Sequence, residues 1–107
     1  MFTIPVQKPL TPGEILERHF MEPLGLTQMQ LADLLHVQRR RINEITNNRR
    51  EVTPDTAIRL SQLFPGVSPQ FWLMSQMRVN LWEALHNQAK RPEYEEISPL
   101  STLPVTP

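Results

Sequence analysis

Four short stretches of this chain repeat one chemical pattern: TPGE at 11–14, TQMQ at 27–30, TPDT at 53–56 and SPQF at 68–71. Each sets a hydroxyl side chain where it can accept from the free backbone N–H groups of a helix's first turn. Pro12, Pro54 and Pro69 stand at the first helical position, where a missing N–H costs nothing. Glu14 and Gln30 are placed to reach back and close capping boxes with Thr11 and Thr27. Helix starts this frequent leave room only for short helices and short connections. Pro65-Gly66 is a clean stop between the last two.

The apolar register fills in the elements. Ile15, Leu16, His19 and Phe20 fall at helical spacing, so helix 1 is predicted from about Pro12 to Met21. QMQLADLLH forms helix 2, the segment behind Gln38 helix 3, DTAIRLSQLF helix 4 and QFWLMSQMRVNLWEALHNQ helix 5. Strand signals are confined to FTIPV at residues 2–6, which can pair as a short edge strand. After Arg91 the chain carries Pro92, Pro99, Pro104 and Pro107, a density that blocks helix and ladder alike. The fold class is therefore all-α with five helices, and the Pro-rich C-terminal tail is expected to be extended or disordered. The boundaries are residues 1–10 for an N-terminal segment, 11–90 for the helical domain and 91–107 for the tail.

With 107 residues the chain suits one domain with a single core. Having no cysteine, it can form neither a disulfide nor a thiolate metal site. It has no long apolar run and no secretory pattern at its N-terminus, so a cytoplasmic protein without membrane contact is expected. Formal net charge is zero, yet its distribution is uneven. Residues 38–50 hold Arg39, Arg40, Arg41, Arg49 and Arg50 against Glu44 alone, while acids are in excess on both sides. Positive charge concentrated in so short a segment marks an anion-binding face.

Helical register divides that segment into distinct tasks. Leu31, Ala32 and Leu35 form the inner face of helix 2, and Val37, Ile42 and Ile45 that of helix 3, with a turn at His36-Val37. Small Ala32 sits where two crossing helices approach closely. Burying Ile42 and Ile45 turns Arg39, Arg40, Asn43 and Glu44 outward, with Gln38 at the helix N-terminus. This is the helix-turn-helix plan, whose second helix enters the major groove of double-stranded DNA. Gln38, Arg39, Arg40, Asn43 and Glu44 are the expected base-reading set: an arginine fork fits guanine, an asparagine adenine, and Glu44 can accept from cytosine or steady Arg40. Thr27 and Gln28 at the start of helix 2, with Arg41, Arg49 and Arg50, are assigned to phosphates.

Taken together, TPGEIL, TQMQLADLLHVQRRRINEI, NNRREVTPDTAIRLSQLF and SPQFWLMSQ make the chain similar, over about residues 10–88, to the HigA-type antitoxins. These are a branch of the Xre/Cro-repressor-like helix-turn-helix proteins. The resemblance implies a lambda-repressor-like domain, a homodimer, repression of its own operon at a palindromic operator, and neutralisation of a toxin that cleaves mRNA on the ribosome. Such a HigB-like ribonuclease would be basic. The chain departs from the family pattern at His36 and Asn48, where glycine is usual, and at Gln38, where serine or threonine is usual. The alternatives are a stand-alone regulator of the same fold with no toxin, and a protein-interaction module whose arginines meet an acidic protein.

Helix 5 carries more apolar surface than one face needs. Phe71, Met74, Leu81 and Leu85 make one stripe and Trp72, Val79 and Trp82 another; the second is assigned to the dimer interface. In the tail, Glu93, Glu95 and Glu96 alternate with Tyr94, Ile97, Leu100 and Leu103, a composition that can fold on a basic partner. The N-terminal segment and helix 1, with Glu14 and Glu17, offer rival toxin-facing surfaces. His19, His36 and His86 have no carboxylate in a recognisable arrangement, and Ser61, Ser68 and Ser75 lie in no nucleophile turn. No catalytic residue, cofactor or metal is expected.

Overall fold

A computed structural model of the protein describes residues 7–87 and 91–101. The expected edge strand at 2–6 lies outside them. The described residues form five main helices, a short 3-10 helix in the tail and no strand. Helix α1 covers residues 12–24 and is followed by α2 (Gln28–Leu35), α3 (Arg39–Thr46), α4 (Pro54–Leu63) and α5 (Pro69–His86). Each hydroxyl cap acts as the sequence predicts. Thr11 and Thr27 accept from the N–H groups of Glu14 and Gln30, whose side chains accept in return from Thr11 and Thr27. Thr53 and Ser68 accept from Thr56 and Phe71.

Helix α1 runs past its predicted end at Met21. Its α-helical first turn, Pro12–Ile15, opens into a π turn over Leu16–Met21 before an α turn at Glu22–Leu24. Pro23 would ordinarily break a helix, because its ring collides with the carbonyl four residues back. The π turn carries the Glu22 N–H five residues back to the Glu17 carbonyl, widening the coil just ahead of the ring. The helix then closes at Gly25, φ 64°, with the Leu26 N–H on the Met21 carbonyl.

Three connections use one closure. Gly25, His36 and Asn48 are the described residues at positive φ, and each stands just beyond a helix end. The N–H of each bonds three residues back and the next residue's N–H five back, satisfying carbonyls that the helix leaves open. His36 and Asn48 thus take the left-handed geometry that glycine adopts without strain.

The core gathers one face from every helix. Leu16, Leu31, Ile42, Ile45, Leu60 and Trp72 are each less than 2% exposed. Trp72 packs against Phe20 at 5.0 Å between ring centroids, and Phe20 against Phe64 at 4.8 Å. Gly13 is where α1 meets α3: a Cβ there would overlap the Ile45 carbonyl.

The two stripes of α5 take the opposite parts from those expected. Trp72 and Val79, expected at a dimer interface, lie in the protomer's own core at 0% and 3% exposed. Phe71 and Met74, on the other stripe, are 40% and 52% exposed, and Met77 beside them is 53% exposed. The reason is the aromatic pocket formed by Phe20 and Phe64, which only the Trp72 side of α5 can fill. Trp82 is half-buried and stacks on His86 at 3.6 Å. In the tail, Pro92–Glu96 is a short 3-10 helix and residues 97–101 are irregular.

Candidate nucleic-acid interface

Helices α2 and α3 cross with Ala32, 2% exposed, at the approach, and Val37 packs on the core from the turn between them. Ile42 and Ile45 are fully inward, so the register of α3 is fixed and its first turn projects from the body. Gln38 caps α3 without a side-chain hydrogen bond. Among the described residues its amide group has no hydrogen-bond partner, and it stands at a helix N-terminus, where backbone N–H groups and the positive end of the helix dipole favour an anion.

Gln38, Arg39 and Arg40 are exposed as expected, whereas Asn43 and Glu44 are half-buried. The Asn43 amide donates to Gln28 Oε1 at 3.2 Å, and the Gln28 amide donates to Thr46 Oγ1 at 3.3 Å. Gln28 is thereby turned across to α3, where it sets the rotamer of Asn43. Thr27 uses its hydroxyl as a cap for Gln30, so the side chain is committed to its own helix.

The arginines divide according to their acidic partners. Glu44 holds Arg40 at 3.4 Å and Arg50 at 2.9 Å. The hydrogen bond from Arg50, helped by its charge and that of Arg40, keeps the Glu44 carboxyl below the usual glutamate range. Asp55 at the start of α4 holds Arg59 and Arg41, each at 2.9 Å, and those two bonds, Arg59's first, hold its carboxyl below the usual aspartate range. Among the described residues, Arg39 and Arg49 have no acidic partner. Gln38, Arg40, Arg41 and Arg50 line a notch of about 120 Å³ beside the N-terminus of α3.

Several contributors escaped the sequence reading. Asn47, four residues beyond Asn43, is exposed on the outward side of α3, and its amide donates to the Asn43 carbonyl; continuing the helical register by one turn finds it. Asn48 accepts from the Thr11 hydroxyl at 2.6 Å, tying the start of α1 to the end of α3. Gln76 on α5 accepts from the Val52 N–H, holding the loop that carries Arg49 and Arg50. Long-range partnerships of this kind leave no local signal.

Known proteins agree with this geometry. A helix-turn-helix family model matches residues 18–72. The uncharacterized HTH-type transcriptional regulator YbaQ of Escherichia coli is 41% identical over 91 residues, 85% of this chain and 80% of its own. Antitoxin HigA-1 of Vibrio cholerae is 31% identical over 88 residues, 82% of each chain. The solved structure of the Pseudomonas aeruginosa antitoxin HigA with the higBA promoter superposes with a TM-score of 0.77 at 36% identity, covering 86% of this chain and 98% of that one. The chain therefore belongs to the Xre-like helix-turn-helix family, among whose members are the HigA antitoxins.

Proposed function

We propose that the protein is a dimeric, sequence-specific DNA-binding repressor of its own operon and the antitoxin of a toxin–antitoxin pair. The observation that carries the DNA reading is the exposed first turn of α3, where Gln38, Arg39 and Arg40 project from a helix whose register two buried isoleucines fix. In this reading Gln38, Arg39, Arg40, Asn43 and Glu44 reach base edges. The N-terminus of α2 at Thr27 and Gln28, with Arg49 and Arg50, grips phosphates on either side. Glu44 keeps Arg40 extended for a base and Arg50 turned toward the backbone.

A palindromic operator needs two such units about 34 Å apart. The exposed stripe of Phe71, Met74 and Met77 on α5, with Trp82 at its edge, is the face we assign to the second protomer. Identity with antitoxins at 31% and 36% supports a toxin partner; that the toxin is a ribonuclease cleaving mRNA on the ribosome is the expectation the family resemblance carries. The relationship to YbaQ at 41% favours a second reading, a stand-alone regulator of the same fold. Copurification from the native operon separates the two: a small basic protein in stoichiometric complex supports the antitoxin, and its absence supports the regulator. Binding to DNA from upstream of the gene tests both. Affinity should fall steeply with salt, with a log–log slope of about −0.9 per phosphate contacted; a salt-insensitive or undetectable interaction contradicts the DNA reading.

A further inference from the structure

The end of α2 carries a device that the base-reading and phosphate-gripping roles do not use. Arg59, one turn into α4, donates from Nη1 to the Leu35 carbonyl at 2.8 Å and to the His36 carbonyl at 3.4 Å. The same guanidinium bonds Asp55 Oδ2 through Nε at 2.9 Å, and that oxygen also accepts from Arg41 of α3 at 2.9 Å. One side chain of α4 is thus bonded to the turn between the two helices of the motif, and through Asp55 to the first turn of the second helix.

His36 shows why the bond is needed. It stands at φ 57°, where a side chain strains the backbone, and such a residue persists only when its surroundings over-determine it. A turn built on glycine has no such strain to resist. Here Arg59 holds the carbonyls of Leu35 and His36 at the helix end, and Asp55 bonds the same guanidinium from the other side.

We infer that Arg59 and Asp55 are positioning residues that fix the angle at which α3 enters the groove, and that Arg41 is a strut of this clamp instead of a phosphate contact. They act on specificity through α3 and touch no base. Phosphate contacts made by the start of α2 and by the mobile forks of Arg49 and Arg50 tolerate a change in that angle better than base-edge contacts do, so loss of the clamp should cost specific binding far more than non-specific binding. The inference rests on the DNA reading proposed above.

The test compares binding of the full-length wild type, Arg59→Met, Arg41→Met, Asp55→Asn and Arg59→Met/His36→Gly to upstream operator DNA and to random duplex, with folding checked by circular dichroism. Amide exchange at Val37 and Gln38 is followed in the free protein. Arg59→Met should lower operator affinity about tenfold or more while random-duplex affinity stays within about twofold, and should speed exchange at Val37. Glycine at position 36 should restore most of the lost discrimination, which a merely structural loss would not do. Arg41→Met should leave the salt slope unchanged. Asp55→Asn, whose exposed site tolerates the change should Arg59→Met not fold, should lower the ratio of operator to random binding and steepen the slope by about 0.9 as Arg41 is released. Equal losses on both duplexes, no rescue by glycine, or a slope reduced by about 0.9 in Arg41→Met would overturn the clamp. A wild type that binds neither duplex refutes the DNA reading itself, and unchanged exchange at Val37 in Arg59→Met would then also refute the clamp.

Discussion

At His36 the backbone holds a left-handed conformation with φ 57° and the side chain exposed. That geometry costs an L-residue on the order of 1 kcal/mol relative to glycine. Replacing His36 by glycine should therefore raise unfolding free energy by about 1 kcal/mol in urea denaturation; a loss of stability would show that the imidazole has a packing role. Asn48, at φ 60°, is different because its side chain also accepts from Thr11, so glycine there should give a smaller gain or none. Charge at the residue scale is equally testable. Glu44 and Asp55 titrate below their ordinary values of 4.5 and 3.8, Glu44 chiefly through the Arg50 hydrogen bond. The folded chain then binds fewer protons than the unfolded one. The contribution of these pairs is complete above the ordinary values and is lost as pH falls through the lowered ones. A carboxylate NMR titration should show Glu44 moving upward more in Arg50→Ala than in Arg40→Ala, and the reverse order would reassign its main partner.

Packing at the element scale decides where the helices stand. Gly13 lets the first turn of α1 touch the backbone at the end of α3. Alanine there must push the two helices apart, at a cost of about 1–3 kcal/mol, read as a lower midpoint in thermal unfolding; an unchanged midpoint would mean the contact gives way freely. Helix starts were legible because capping is local: Thr11, Thr27, Thr53 and Ser68 announce themselves by their own neighbours. The far end of α1 was not, since it depends on a π turn that accommodates Pro23, and nothing in the spacing of apolar residues signals that turn. The same contrast holds in the interface. The outward set on α3 follows from Ile42 and Ile45, but the turning of Gln28 onto Asn43 and of Arg41 onto Asp55 depends on partners 15 and 14 residues distant.

At the scale of the whole molecule, the setting of α5 is decided by the other helices. Both of its stripes are visible in the sequence, yet which one faces inward depends on an aromatic pocket assembled from Phe20 of α1 and Phe64 just beyond α4. Trp72 fills that pocket, so Trp72→Ala should cost about 3–5 kcal/mol and unfold much of the population. Met74→Glu, on the exposed stripe, should leave the protomer folded and shift sedimentation from dimer to monomer. A dimer that survives this change would place the interface elsewhere. These two substitutions separate the core of one protomer from the proposed contact between two.

In the proposed complex the outward face of α3 reads sequence, while Arg49 and Arg50 in the loop beyond the helix grip only phosphates. The most direct measurement is fluorescence anisotropy with operator and random duplexes for Arg40→Ala and Arg49→Ala. Arg40→Ala should cost about 1–3 kcal/mol on the operator and little on random DNA, with Arg49→Ala weakening both about equally. Equal losses on the two duplexes for Arg40→Ala would contradict base reading by Arg40.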